Sequence, residues 1–256
     1  QPAGAGSFYP ADPEELRNAL AGLLIAYQPA QQAPKAIIAP HAGYVYSGPT
    51  AAAIYACLKP ARQSIERVIL LGPSHRVSFK GLAASSADYF ASPLGNVAVD
   101  KPALSLITDL PFVAILDEAH KHEHSLEVQI PFLQEILDRF SLVPIVTGDA
   151  SAEQVAQVLD KLWGGPETII VVSSDLSHFH DYDTARLMDG KTSRAIESLK
   201  WEDIGYYCAC GRIPINGLLY TARSRKLTAT TVDLRNSGDT AGSKDRVVGY
   251  GAYAFS

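Results

Sequence analysis

Three short apolar runs in this chain each lead to a histidine. Ala36-Ile-Ile-Ala39 stops at Pro40 and delivers His41; Arg67-Val-Ile-Leu-Leu-Gly72 runs into Pro73-Ser74-His75; Thr168-Ile-Ile-Val-Val172 passes through Ser173-Ser174-Asp175-Leu176-Ser177 to His178. Such runs read as buried strands, and proline, which has no N–H for a sheet ladder, marks the first exit. In an open α/β sheet the ligand crevice lies beyond the carboxyl ends of the strands, so side chains far apart in sequence converge there. Imidazoles meeting at such a place point to a metal site, which needs two or three of them, an anionic ligand and an open position. A histidine at a strand end is also an ordinary polar loop residue, but two in equivalent positions, His41 and His75, weigh against that reading.

Cys210 supplies the anionic candidate. It precedes Gly211-Arg212 and a helix expected from Pro214, where the helix dipole and a guanidinium favour thiolate over thiol. A thiolate there can ligate a metal or act as a nucleophile. The other reading is a half-buried structural cysteine, which suits Cys208 and Cys57 as well. Asp175 and His178 are three residues apart: either the carboxylate orients an imidazole that serves as general acid or base, or Asp175 caps a helix beginning near Leu176. The alternation His120-x-His122-x-His124 resembles a metal-binding tract, yet Asp117, Glu118, Lys121 and Glu123 around it suit a solvated loop. His124 differs, because Ser125 and Glu127 open a helix whose start can face the crevice. No GxGxxG, P-loop or GxSxG arrangement falls at a strand exit, which argues against nucleotide binding and α/β-hydrolase chemistry.

The elements that must position these residues are legible from local signals. Asp12, Pro13 and Glu15 announce a helix with a capping box, and Leu16, Ala19, Leu20, Leu23 and Leu24 give it one inward face. Residues 27–34 read as a linker. Gly43 through Gly48 reads as a loop that approaches a ligand closely, before Pro49 opens a small Ala-rich helix to Leu58. Further strands are expected at 81–85, 96–99, 112–116, 141–146, 228–233 and 247–253, with helices at 101–108, 125–140, 183–199, 201–207 and 214–223. Ser151 and Gln154 form a capping box for another helix ending near Trp163. Residues 233–245 read as a mobile surface loop. The alternation predicts a single α/β domain over residues 1–256: a layered fold with a central mixed, partly parallel sheet flanked by helices.

Composition narrows the function classes. A net charge of −5 with scattered Lys and Arg argues against nucleic acid as a partner. No apolar run approaches the roughly 20 residues a membrane helix needs, so no membrane partner is expected. Three cysteines in a chain of 256 residues suit a reducing compartment, and a cytoplasmic location is the expectation. Met188 is the only methionine, which leaves room upstream for further residues or a processed leader.

Ala5-Gly-Ser-Phe-Tyr-Pro10, Ala39-Pro-His-Ala-Gly-Tyr-Val-Tyr-Ser-Gly48, Leu71-Gly-Pro-Ser-His75, Glu123-His-Ser-Leu-Glu-Val-Gln-Ile-Pro-Phe132, Ser173-Ser-Asp-Leu-Ser-His178 and Cys210-Gly-Arg-x-Pro214, taken in order, resemble the Memo family. The resemblance implies a fold similar to class III extradiol dioxygenases, non-haem iron enzymes with a two-histidine, one-carboxylate site. It implies His41, His75 and Cys210 as metal ligands, with the cysteine standing where those dioxygenases use Glu. His178 matches their acid–base histidine, with Asp175 beside it. Family members are associated with iron or copper and redox activity, an animal member with phosphopeptide binding, and bacterial members with radical-SAM partners. A thiolate in place of a hard carboxylate shifts preference toward softer ions such as Cu(I) and is itself oxidisable, which places catechol cleavage in doubt. The reading is thus a metal-dependent oxidoreductase holding one iron or copper ion. His178 and Asp175 move protons, Tyr44, His124 and Glu127 shape a pocket for a small-molecule or peptide ligand, and the alternative is a non-catalytic binder of peptides or small anions.

Overall fold

The structure is a computed structural model that describes residues 2–28 and 30–256. The expected linker over 27–34 includes Pro29, which lies outside them. In chain order the elements are α1 (Pro13–Leu24), β1 (Ala36–Ala39), α2 (Tyr44–Ala56), β2 (Arg67–Pro73), β3 (Leu82–Ala84), β4 (Tyr89–Ser92), β5 (Gly95–Ala98), α3 (Lys101–Ser105), β6 (Val113–Ile115), α4 (Glu118–Lys121), α5 (Ile130–Ile136), β7 (Ser141–Thr147), α6 (Ala152–Leu162), β8 (Thr168–Ser173), β9 (His178–His180), α7 (Tyr182–Glu197), α8 (Arg212–Ser224), β10 (Ala229–Asn236) and β11 (Val247–Phe255).

Among the described residues the main sheet has nine strands in the order β10-β11-β1-β8-β2-β7-β3-β6, with β9 paired to β11, while β4 and β5 form a separate hairpin. The four strands β1, β8, β2 and β7 run parallel to one another, while β11 pairs antiparallel with β1 and β3 antiparallel with β7. This is the mixed, partly parallel sheet expected. Strands β1 and β8 are buried along their whole length, as continuous apolar runs require when helices cover both faces. One core layer lies between the sheet and α1, α2 and α5, and the other between the sheet and α6 and α8.

Local chemistry accounts for most boundaries. The Asp12 carboxylate accepts the amides of Glu14 and Glu15 at the start of α1, and Ser151 and Gln154 make a reciprocal capping box on α6. Several expectations are corrected. Residues 44–48 are not a loop: α2 starts at Tyr44 and Pro49 lies inside it. Packing drives that early start. Tyr44 is buried against Phe132, and at Gly48 any Cβ would come within 2.8 Å of Leu23 on α1, so this glycine serves a helix–helix contact and not a ligand. Residues 125–140 hold only a short 3-10 turn and the seven-residue α5, because Pro131 is tolerated only in a helix's first turn. The segment 117–124 is not a plain loop, since α4 interrupts it. Residues 233–245 are ordered in part by β10, which runs on to Asn236, and by a turn closed between Asn236 and Asp239. No helix among the described residues is long and apolar enough to cross a membrane.

Candidate metal centre

β1, β8 and β2 are adjacent in the sheet, so the segments following them leave at one edge of the molecule. His41 and His75 follow β1 and β2, which are separated by β8. With strands about 4.8 Å apart, their backbones stand roughly 10 Å from each other and the two imidazoles must reach over the end of β8. They meet edge to face with ring centroids 5.1 Å apart. His124, from the segment before α5, joins them: donor atoms of His41, His75 and His124 all lie within 4.8 Å of one another.

The hydrogen bonds around this group determine which nitrogens face inward. Ser173 Oγ, at the end of β8, donates its single proton to the Ser125 carbonyl at 2.6 Å and accepts from Gln129 Nε2 at 2.8 Å. Its contact with His41 Nδ1 at 2.9 Å must then be one in which Nδ1–H donates. Nε2 of His41 therefore carries the lone pair. Gln129 is held in turn by the Pro40 carbonyl and the Tyr55 hydroxyl. On the other side, the Glu123 carboxylate accepts from His75 Nδ1 at 2.8 Å and from the amides of His75 and Ser125 at 2.6 and 2.9 Å. A carboxylate can only accept, so His75 Nε2 is also the free donor atom. A histidine whose outer nitrogen is bonded to a carboxylate or hydroxyl is the usual support of a metal-ligating imidazole.

Burial favours the neutral form of two of these rings, His41 and His124. Burial, followed by the neighbouring His75 and His124, holds His41 well below the ordinary histidine value, and burial also lowers His124. Neutral imidazoles are the ligand-competent form. Burial alone would raise the Glu123 carboxyl, but the His75 ring and the amides of His75 and Ser125 outweigh it and hold it at about 2 against the ordinary 4.5. A carboxyl held lower in the folded than in the unfolded chain stabilises the fold above its unfolded value and loses that contribution as pH falls. The metal-free protein should accordingly lose stability as pH drops from about 4.5 to about 2, and Glu123→Gln should flatten that part of the profile in urea unfolding. An equal slope in the variant would assign the loss to other carboxylates.

Cys210 stands beside this group through His41. Its thiol donates to His41 Nε2 at 3.3 Å, and its amide donates to the Asp175 carbonyl at 3.3 Å. The expected thiolate is corrected. Burial, with the Asp175 carboxylate second, pushes the thiol up to about 12. α8 does begin at Arg212, but that guanidinium lies over the Tyr206 ring at 5.7 Å. At that value the sulfur keeps its proton, which His41 Nε2 at 3.3 Å and the Asp175 carbonyl at 3.6 Å can each accept.

Asp175 is buried, and its carboxylate accepts the amides of His41 and Ala42 at 2.8 and 3.3 Å; its second oxygen is 3.9 Å from His41 Nε2. No helix starts near Leu176; the next one, α7, is capped by Asp181. The His178 ring is held by the Leu176 carbonyl, which accepts from Nδ1 at 2.8 Å and leaves Nε2 as the basic nitrogen. Together with His75, Cys210, Tyr206, Tyr207 and Arg212, His178 lines an open cleft of about 470 Å³. Tyr44 and Glu127 lie elsewhere: the Tyr44 hydroxyl donates to the Val128 carbonyl in the core, and Glu127 is buried among amides of residues 3 and 4. His120 packs against Phe90, with Nε2 at 3.0 Å from the Ala83 carbonyl, and His122 is exposed. Sequence reasoning missed Ser173, Gln129 and the ordering role of Glu123. The only sequence-level signals were a serine at a strand exit and a glutamate next to a histidine.

The family model described as Memo-like protein matches residues 1–254. A MEMO1 family protein of Aquifex aeolicus is 37% identical over 264 residues, covering 98% of this chain and 96% of the relative. One of Methanosarcina mazei is 37% identical over 272 residues, covering 98% and 97%. Among solved structures, an uncharacterized protein from Escherichia coli matches with a TM-score of 0.50 at 15% identity, covering 84% of this chain and 98% of that one, a likeness of fold alone. Whole-length identity to these relatives and a family match over nearly every residue lead to one conclusion: the chain belongs to the Memo-like family.

Proposed function

We propose that this protein is a metal-dependent oxidoreductase that takes one iron or copper ion on His41, His75 and Cys210, with His124 alongside. The observation that carries the reading is the fixed tautomer of His41. Its lone pair on Nε2 lies 3.3 Å from the Cys210 sulfur and within a group of three imidazoles, a mixed nitrogen–sulfur donor set with carboxylate and hydroxyl support. Such a set suits iron, copper or another borderline-soft ion better than magnesium or calcium. When bound, the ion supplies Lewis acidity and one-electron exchange. The remaining roles belong to the chain. His178 takes or returns a proton through Nε2, Asp175 holds the His41 backbone, and Tyr206, Tyr207 and Arg212 receive the ligand at the cleft mouth.

A second reading, a non-catalytic binder of peptides or small anions, draws on Arg212 and the exposed rings of Tyr206 and Tyr207 in the same cleft. Elemental analysis of tag-free protein reconstituted anaerobically with Fe(II) or Cu(I) separates the two. Near-stoichiometric metal in the wild type, lost in Cys210→Ser, is the expected result. Full retention by the variant removes Cys210 from the ligand set. A wild type that takes up neither ion defeats the oxidoreductase reading and leaves the binder.

A further inference from the structure

Residues 3–9 run across the metal centre and are tied down on both sides. The buried Glu127 carboxylate accepts the amides of Ala3 at 2.6 Å and Gly4 at 2.8 Å, and the Tyr9 hydroxyl donates to it as well. The Phe8 carbonyl accepts the amide of Tyr44 at 2.8 Å, at the first residue of α2. Held this way, the Phe8 ring lies on His124 with centroids 4.3 Å apart and planes 22° apart. The His75 ring also stacks on His124, at 4.8 Å and 19°. Two near-parallel rings cannot occupy one face of a third, so His124 is sandwiched between them.

His124 needs that support more than its neighbours do. Ser173 fixes the plane of His41 and Glu123 fixes that of His75, both by hydrogen bonds to Nδ1. The Nδ1 of His124 is buried and makes no hydrogen bond, the Glu123 carboxylate oxygen standing 3.5 Å away and already accepting from His75 and Ser125. Ring stacking is then what sets its plane, and offset aromatic stacking is strong enough to do so. We propose that Phe8 is the positioning residue for His124, and that residues 3–9, anchored on Glu127, form a strap holding the third imidazole where its nitrogen meets those of His41 and His75. The purpose of the strap rests on the metal reading above; its geometry does not.

Three proteins test this: wild type, Phe8→Leu, which keeps an apolar side chain but removes the π face, and Phe8→Tyr, which restores it. In metal-free protein the His124 ring protons, assigned by their loss in His124→Gln, should lie upfield under two flanking rings. Loss of the Phe8 ring current alone moves them downfield in Phe8→Leu, so the deciding ring signals are their nuclear Overhauser contacts with the His41 and His75 rings, which should weaken in Phe8→Leu and stay in Phe8→Tyr. With cobalt(II) as the probe ion, Phe8→Leu should bind about tenfold more weakly, about 1.4 kcal/mol, and Phe8→Tyr like wild type. Unchanged ring signals and affinity in Phe8→Leu overturn the proposal. So does an equal loss in both variants accompanied by lowered Tm, because packing alone would then explain it. If the wild type binds no metal, the proposed function fails, while the ring signals of Phe8→Leu still decide the strap.

Discussion

Replacing Ser173 by alanine is expected to lower stability by roughly 2–4 kcal/mol and to weaken metal binding by about 10–100-fold. One hydroxyl satisfies three buried groups, the Ser125 carbonyl, the Gln129 amide and His41 Nδ1. Its removal strands all three in a place where Ser125, Gln129 and Ser173 itself are fully buried. An unsatisfied buried donor or acceptor costs about 1–3 kcal/mol, and partial rearrangement keeps the total below the sum. The metal effect has a separate origin. Without the hydroxyl, nothing compels the His41 proton to stay on Nδ1, and the tautomer with Nε2 protonated cannot ligate toward Cys210. Urea unfolding of the metal-free protein measures the first effect and competition with a chelator the second. A variant within about 0.5 kcal/mol of wild type in the first measurement would show that the three-way bond carries no weight.

Gly211→Ala should have the next largest effect. The backbone there has φ −88°, which any residue adopts, so the glycine is not needed for its freedom. It is needed for space. An added Cβ would lie 2.6 Å from Ser174 Cβ, 2.7 Å from Ser174 Oγ and 2.8 Å from the Ser173 carbonyl. The Gly211 amide donates to Ser174 Oγ at 2.9 Å, so the start of α8 is pressed directly onto the end of β8. Forcing a methyl group into this contact costs about 1–3 kcal/mol as overpacking. It also moves Cys210, the preceding residue, away from His41. Metal retention should therefore fall further than stability does. Gly205→Ala is the control, since nothing lies within 4 Å of a Cβ at that position. Equal metal retention in Gly211→Ala and Gly205→Ala would sink the idea that this contact sets the thiol.

What the sequence reveals and what it hides follow from how far apart the interacting residues are. β1, β2 and β8 are readable because each is a short apolar run with a proline or serine exit, and their side chains need no distant partner to declare themselves. The strand exits then place His41, His75 and His178 at one edge. The supporting contacts cannot be read the same way. Ser173 meets His41 across 132 positions, Glu123 meets His75 across 48, and Glu127 meets Gly4 across 123. No periodicity or cap signals such pairs. Glu127 lies three residues after His124 and opens a helical turn, which suggests a pocket residue; the structure gives its oxygens to residues 3, 4 and 9. The thiol of Cys210 misleads for a different reason. Helix dipole and guanidinium are visible in the sequence, whereas the burial and the Asp175 carboxylate that outweigh them exist only in the fold.

The place of β8 between β1 and β2 has a consequence for biosynthesis. β1 and β2 are successive strands of the sheet in the chain, yet in space they are not neighbours: β8, made much later, lies between them and pairs with both. A nascent chain that has emerged only through β7 holds both His41 and His75 but lacks Ser173, the residue that fixes one of them, and Cys210 has not been made. Late closure of distant contacts is slow relative to local folding. With the proposed donor set, the histidines would be kept from forming a finished chelate in a half-made protein, and an ion would find all its donors only once the last third of the chain has docked. On that reading, metal capture would report that the domain is complete.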